Sequence, residues 1–122
     1  MPKIKRPIYL LAVMLGLTLL VAGNRIQAQP LPQGATVSVS MKDFQFDPKP
    51  ITVKAGDSIT WKNDGTKKHT ATADDGSFDT AVVAPGTTSQ PIKFDKPGTY
   101  AFYCQFHGGP GGVDMSATII VK

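Results

Sequence analysis

Cysteine is nearly absent from this 122-residue chain: there is one, Cys104, so no internal disulfide can form. Histidine is almost as scarce, with only His69 and His107. Glutamate is missing altogether, and the only arginines, Arg6 and Arg25, stand near the start. Beyond them every cation is Lys and every acid is Asp, which leaves a solvated surface with no guanidinium fork for phosphate. From Ala35 onward no stretch carries a helical period of useful length. The one long apolar run, Ile8 to Ala22, is too short for a comfortable membrane span.

That run is flanked in the manner of a secretory signal. Lys3, Lys5 and Arg6 precede it, and Ile26-Gln27-Ala28 offers a small-residue cleavage site after it. The expectation is a signal peptide over residues 1–28, a tail over 29–34 and one domain over 35–122; an uncleaved anchor is the alternative. No Cys stands just after the run, which argues against attachment as a lipoprotein. Cleavage would remove four cations and no acid, so the precursor's 13 − 9 = +4 becomes 9 − 9 = 0. The basic character belongs to the leader, and nucleic acid is not an expected partner. The remaining 122 − 28 = 94 residues suffice for a two-layer domain burying roughly 60% of its unfolded surface. No membrane span is expected after cleavage.

From Ala35 onward the chain alternates polar and apolar residues in short runs broken by Gly, Pro, Asn and Asp. Val37, Val39 and Met41 share one face of the first run, and Ile59 and Trp61 share one face of DSITWKN. Further strands are expected at Ile51–Val53, His69–Thr72, Thr87–Phe94, Thr99–Cys104 and Ser116–Val121. About seven short strands with frequent turns predict an all-β antiparallel sandwich or barrel. In the aromatic strand, alternation sets Tyr100, Phe102 and Cys104 on the inner face, with Ala101 and Tyr103 outside.

A single Cys in an exported protein needs protection by burial or by a metal, because an exposed thiol there oxidises or cross-links. Cys104 and His107 are separated by two residues, and Met115 follows in YAFYCQFHGGPGGVDM. Thiolate, imidazole and thioether are the soft donors that copper selects. Zinc also accepts Cys and His, but structural zinc commonly uses more of them and a thioether suits it poorly. Taken singly, His69 reads as a surface histidine and Met115 as core filler; only the set changes that reading.

The segments DFQFDPKPITVKAGDSITWKN, HTATADDGSFDT, PGTYAFYCQFH and MSATIIVK follow one another as they do in the plastocyanin and azurin-like cupredoxins, and the chain resembles that family over nearly all of residues 35–122. The resemblance implies a Greek-key β-sandwich holding one type 1 copper. His69, Cys104 and His107 would be the trigonal ligands and Met115 the long axial one. Seven residues separate His107 from Met115 where plastocyanins have four, the excess lying in Gly108-Gly109-Pro110-Gly111-Gly112. Met41 reads as strand core. Thr70 stands where plastocyanins place an Asn, and its backbone N–H is expected to reach the Cys104 sulfur.

The resemblance further implies an electron carrier without enzymatic activity, since second-copper enzymes of this fold need histidines that the chain lacks. The copper would cycle between Cu(I) and Cu(II). Electrons would leave through His107, with Tyr103, Pro110 and Val113 at the docking surface for a cytochrome or membrane-bound redox complex. The expected location is the periplasm or another exported compartment, the thylakoid lumen included, and the expected state is a monomer. The competing reading is an exported copper carrier or storage protein with no redox role.

Overall fold

The structure, a computed structural model, describes residue 16, residues 22–28 and residues 34–122. The expected signal segment and tail lie mostly outside the described residues. Among the described residues no helix is long and apolar enough to cross a membrane.

Among the described residues eight strands follow in order: β1 (Thr36–Lys42), β2 (Gln45–Asp47), β3 (Ile51–Val53), β4 (Asp57–Asn63), β5 (Thr72–Ala73), β6 (Ile92–Phe94), β7 (Gly98–Gly109) and β8 (Val113–Val121). They form two four-stranded sheets, ordered β2-β1-β4-β6 and β3-β8-β7-β5. The expected sandwich is present, but it is mixed and not purely antiparallel. β1 runs parallel to β4, from Thr36 opposite Ser58 to Met41 opposite Asn63, and β3 runs parallel to β8. Parallel neighbours cannot be joined by a tight hairpin. Between β1 and β4 the chain visits the other sheet as β3, and β3 and β8 are separated by most of the domain.

The core lies between the sheets and follows the alternation of the sequence. Val39, Met41, Ile59, Trp61, Phe102 and Ile119 are fully buried. Trp61 meets Phe102 edge-on at 5.9 Å and stacks on Phe78 at 5.9 Å, while Phe46 meets Phe102 at 4.6 Å. Such aromatic pairs each contribute about 0.5–1.5 kcal/mol beyond the area they bury. Phe46 lies on β2, a strand absent from the sequence reading because only three residues separate the turn after β1 from Pro48.

Two expected strands are shorter than predicted, for identifiable reasons. Pro91, with no N–H to donate, breaks the run Thr87–Phe94 and leaves β6 as Ile92–Phe94. The expected strand His69–Thr72 survives only at Thr72. The amide of Thr70 donates to the Cys104 sulfur and that of Ala71 to the Thr80 hydroxyl, so neither enters a ladder with β7.

The opposite happens at the last hairpin. β7 runs on past Cys104 to Gly109 and pairs again with β8 at Gly108–Asp114 and Gly109–Val113. Between Tyr103–Ser116 and Gly108–Asp114 the register slips, so that residues 104–107 stand opposite Met115 alone. This is a bulge, and a bulge re-aims side chains. It puts Cys104 inside and brings His107 back to the same end of the sandwich. The glycine-rich segment is therefore an ordered hairpin tip; Gly111 and Gly112 adopt φ of 85° and 79°, which other residues resist.

Candidate metal centre

His69 reaches the centre from a short bridge outside the sheets. Its N–H donates to the Val83 carbonyl at 3.2 Å, and the Val83 N–H donates back at 2.8 Å. Asn63, buried at the end of β4, staples this segment: its amide donates to the carbonyls of Lys67 and Val83 at 2.7 and 2.8 Å, and its oxygen accepts from the Gly65 N–H at 2.9 Å. The imidazole that results is fully buried.

The two histidines and the cysteine converge. His69 Nδ1 lies 3.1 Å from His107 Nδ1, and Cys104 Sγ lies 3.7 Å from the first and 3.6 Å from the second. Atoms held about 2.0–2.3 Å from one shared ion can be at most about 4.6 Å apart, a limit all three separations satisfy. Cys104 and His69 are 0% exposed, whereas His107 is half-buried at the rim. Met115 is buried directly behind the bulge and, with Phe44, His107 and Asp114, lines a cavity of about 490 Å³. Nitrogen, nitrogen, thiolate and thioether form a donor set that suits copper better than any hard cation.

Around this cluster the polar groups are aimed. The Thr70 N–H donates to Cys104 Sγ at 3.5 Å, and the Thr70 hydroxyl accepts from the Gln105 N–H at 2.9 Å. On its far side His69 Nε2 meets Asp43 Oδ1 at 3.0 Å. A carboxylate only accepts, so the neutral ring carries its proton on Nε2 and leaves Nδ1 as a lone pair facing Cys104. Burial, with the His69 ring next to it, pushes the His107 imidazole below its ordinary value and favours the neutral, ligating form. Hydrogen bonds from the Thr66 hydroxyl and amide hold the Asp43 carboxyl well below the usual carboxylate range.

The rim is apolar. Phe44 is 59% exposed and meets the His107 ring edge-on at 5.1 Å; Phe106 and Val113 are exposed beside it, and the Lys68 ammonium sits 4.4 Å from the centre of the Phe106 ring. Pro110 is exposed at the hairpin tip, where the Gly111 N–H donates to Asp74 Oδ2 at 2.9 Å. Tyr103 is half-buried on the outer face of the second sheet, paired with Thr72 and Ser116. Asp43, Phe44 and Phe106 were not singled out from the sequence. For Phe44 no signal existed, because its φ of 71° is rare for a bulky residue and is set by the turn joining β1 to β2.

A β-sandwich with two imidazoles and one buried cysteine sulfur gathered at one end defines a small soft-metal protein. Residues 9–121 match the model of the family described as cupredoxin-like domain, and the chain belongs to that family. It is similar to a chloroplastic plastocyanin of Tetradesmus obliquus, 37% identical over 88 residues that cover 63% of this chain and 58% of the algal one. A plastocyanin of Prochlorothrix hollandica is 30% identical over 124 residues, covering 91% of this chain and 92% of that protein. Among solved structures, a copper-containing nitrite reductase from Thermus scotoductus superposes with a TM-score of 0.62 at 26% identity, over 78% of this chain and 25% of that one. The family binds one copper, and His69, Cys104, His107 and Met115 form a cluster suited to it.

Proposed function

We propose that this protein is a one-copper electron carrier that shuttles single electrons between redox partners outside the cytoplasm. The observation that carries the reading is the triangle of His69 Nδ1, His107 Nδ1 and Cys104 Sγ, with sides of 3.1, 3.6 and 3.7 Å. Two imidazole nitrogens and a sulfur converge on one point, where a single soft cation can be shared by all three. Under this reading those three atoms are the strong ligands and the Met115 thioether is the weak axial one. When bound, the copper supplies a one-electron couple, Cu(II) and Cu(I).

The chain's own residues do the rest. The staple of Asn63 and the β7 bulge fix the ligands before the metal arrives, so little rearrangement accompanies a change of charge. Cys104, His69 and Met115 are buried, so the cluster meets solvent chiefly at the His107 edge, which favours electron transfer over bond chemistry. His107 alone reaches the rim, and the exposed side chains of Phe44, Phe106, Pro110 and Val113 give a redox partner an apolar surface against its edge. Tyr103, on the outer face of β7, offers a second approach. The apolar run Ile8–Ala22 with its basic flank supports export, with residues 1–28 removed as a signal.

Adding Cu(II) to the metal-free protein should give an intense blue thiolate-to-copper absorption, lost in Cys104→Ser, and a reversible one-electron wave at an electrode. A colourless product overturns the reading. Blue copper with no reversible wave, passed intact to an acceptor protein, supports the copper carrier instead.

A further inference from the structure

The turn between β1 and β2 sends one side chain to each histidine. Phe44 covers the His107 ring, and Asp43 meets the far nitrogen of His69. Asp43 is itself held from the opposite side. Both its oxygens accept from the Thr66 N–H at 3.0 Å, Oδ2 accepts from the Thr66 hydroxyl at 2.7 Å, and Oδ1 accepts from the Lys67 N–H at 3.2 Å. The orientation of the carboxylate is thus fixed independently of His69. Its side chain is 27% exposed while the His69 side chain is 0% exposed, so the hydrogen bond between them runs from the covered centre out to the surface.

We infer that Asp43 is a positioning residue of the centre: it locks His69 in the tautomer that presents Nδ1 inward and, through its charge, favours the oxidised state. The inference rests on the copper reading above. A carboxylate behind a ligating imidazole raises the basicity of that ligand and fixes its ring. A full negative charge one imidazole away from the metal also interacts more favourably with the more positive oxidation state, and at effective dielectric constants typical near a surface this is worth on the order of tenfold in the redox equilibrium.

The Asp43→Asn variant removes the charge and keeps an oxygen acceptor for His69. The expected result is a folded blue protein whose equilibrium moves roughly tenfold toward the reduced form, about 59 mV for one electron. The control, Thr66→Val, removes a hydroxyl donor to Asp43 and leaves its charge, and should move the potential far less. A potential unchanged within twofold in Asp43→Asn overturns the inference, as does an equal shift in the control. Nitrogen-15 spectra of the metal-free protein test the tautomer separately: a single Nε2–H form of His69 is expected in the wild type and a mixture in Asp43→Ala. The same mixture in both overturns the positioning role. These spectra need no copper, so failure of the copper reading, seen as a colourless wild type, is distinguishable from failure of the inference.

Discussion

The amide of Thr70 points at the sulfur of Cys104 across 3.5 Å, while the hydroxyl of the same residue accepts from the amide of Gln105, immediately after that cysteine. One residue thus holds β7 at the sulfur and just after it, from a position 34 residues earlier in the chain. Its hydroxyl also meets the Thr72 hydroxyl at 3.0 Å.

Thr70→Val keeps the amide and removes the hydroxyl. The Gln105 N–H then loses its partner, which costs roughly 1–3 kcal/mol. Denaturant titration of the metal-free protein should show that loss. The N–H to Sγ contact is untouched, so the visible band of the copper form should keep its wavelength.

Met115 separates packing from ligation. Met115→Leu conserves volume and should cost less than about 1.5 kcal/mol in the metal-free protein, whereas Met115→Ala opens a cavity and should cost about 2–5 kcal/mol. Both variants should retain copper on the three strong ligands and raise or lower its potential. Identical potentials in wild type and Met115→Leu would show that the thioether does not ligate.

Gly108 is tied to its neighbours by close approach. A Cβ there would collide with the carbonyl oxygen of Met115 and come within 2.8 Å of that of Val113, both backbone atoms. Gly108→Ala should therefore destabilise the hairpin by roughly 1–3 kcal/mol and weaken copper retention, because His107 and Met115 flank the strained pair. Gly109→Ala meets only the Val113 Cβ at 3.8 Å and should be tolerated. Thermal melts and copper titrations of the two variants make the comparison.

Besides Asp43, two further surface carboxylates contribute to the acid limb. Asp64, hydrogen-bonded by the Ser40 hydroxyl, and Asp75, hydrogen-bonded by Ser77, both titrate below the ordinary 3.8 in the folded protein. The unfolded chain takes up protons first as acid is added, so their contribution is complete above about 3.8 and is lost as the pH falls through the lower folded values. Asp64→Asn should be slightly less stable at neutral pH and show a shallower decline below pH 4, followed by circular dichroism.

Alternation made most of the fold legible. Val39, Met41, Ile59, Trp61 and Phe102 stand inside as the period-two pattern requires, and Cys104 shares the buried face of Phe102. Strand direction was not legible, since alternation is the same for parallel and antiparallel neighbours. The family resemblance named His69, Cys104, His107 and Met115; the structure brings the first three within a few ångströms of one another and sets Met115 behind the bulge. Asp43 escaped notice because its partners Thr66, Lys67 and His69 lie more than twenty residues away, a distance no local pattern spans. The bulge escaped for a different reason: nothing in YCQFHGG states that the ladder resumes at Gly108.

Two of the groups that shield the Cys104 sulfur come from afar: His69 lies 35 residues upstream and Thr70 lies 34. Contacts of such separation form late in folding, after the loop-closure cost has been met. Until both sheets have closed, the sulfur is an open thiol on a nearly finished chain, and any oxidant present competes with folding for it. The yield of competent protein is therefore decided by a race, and slowing the docking of the two sheets would deplete the pool of usable sites even where the final stability is unchanged.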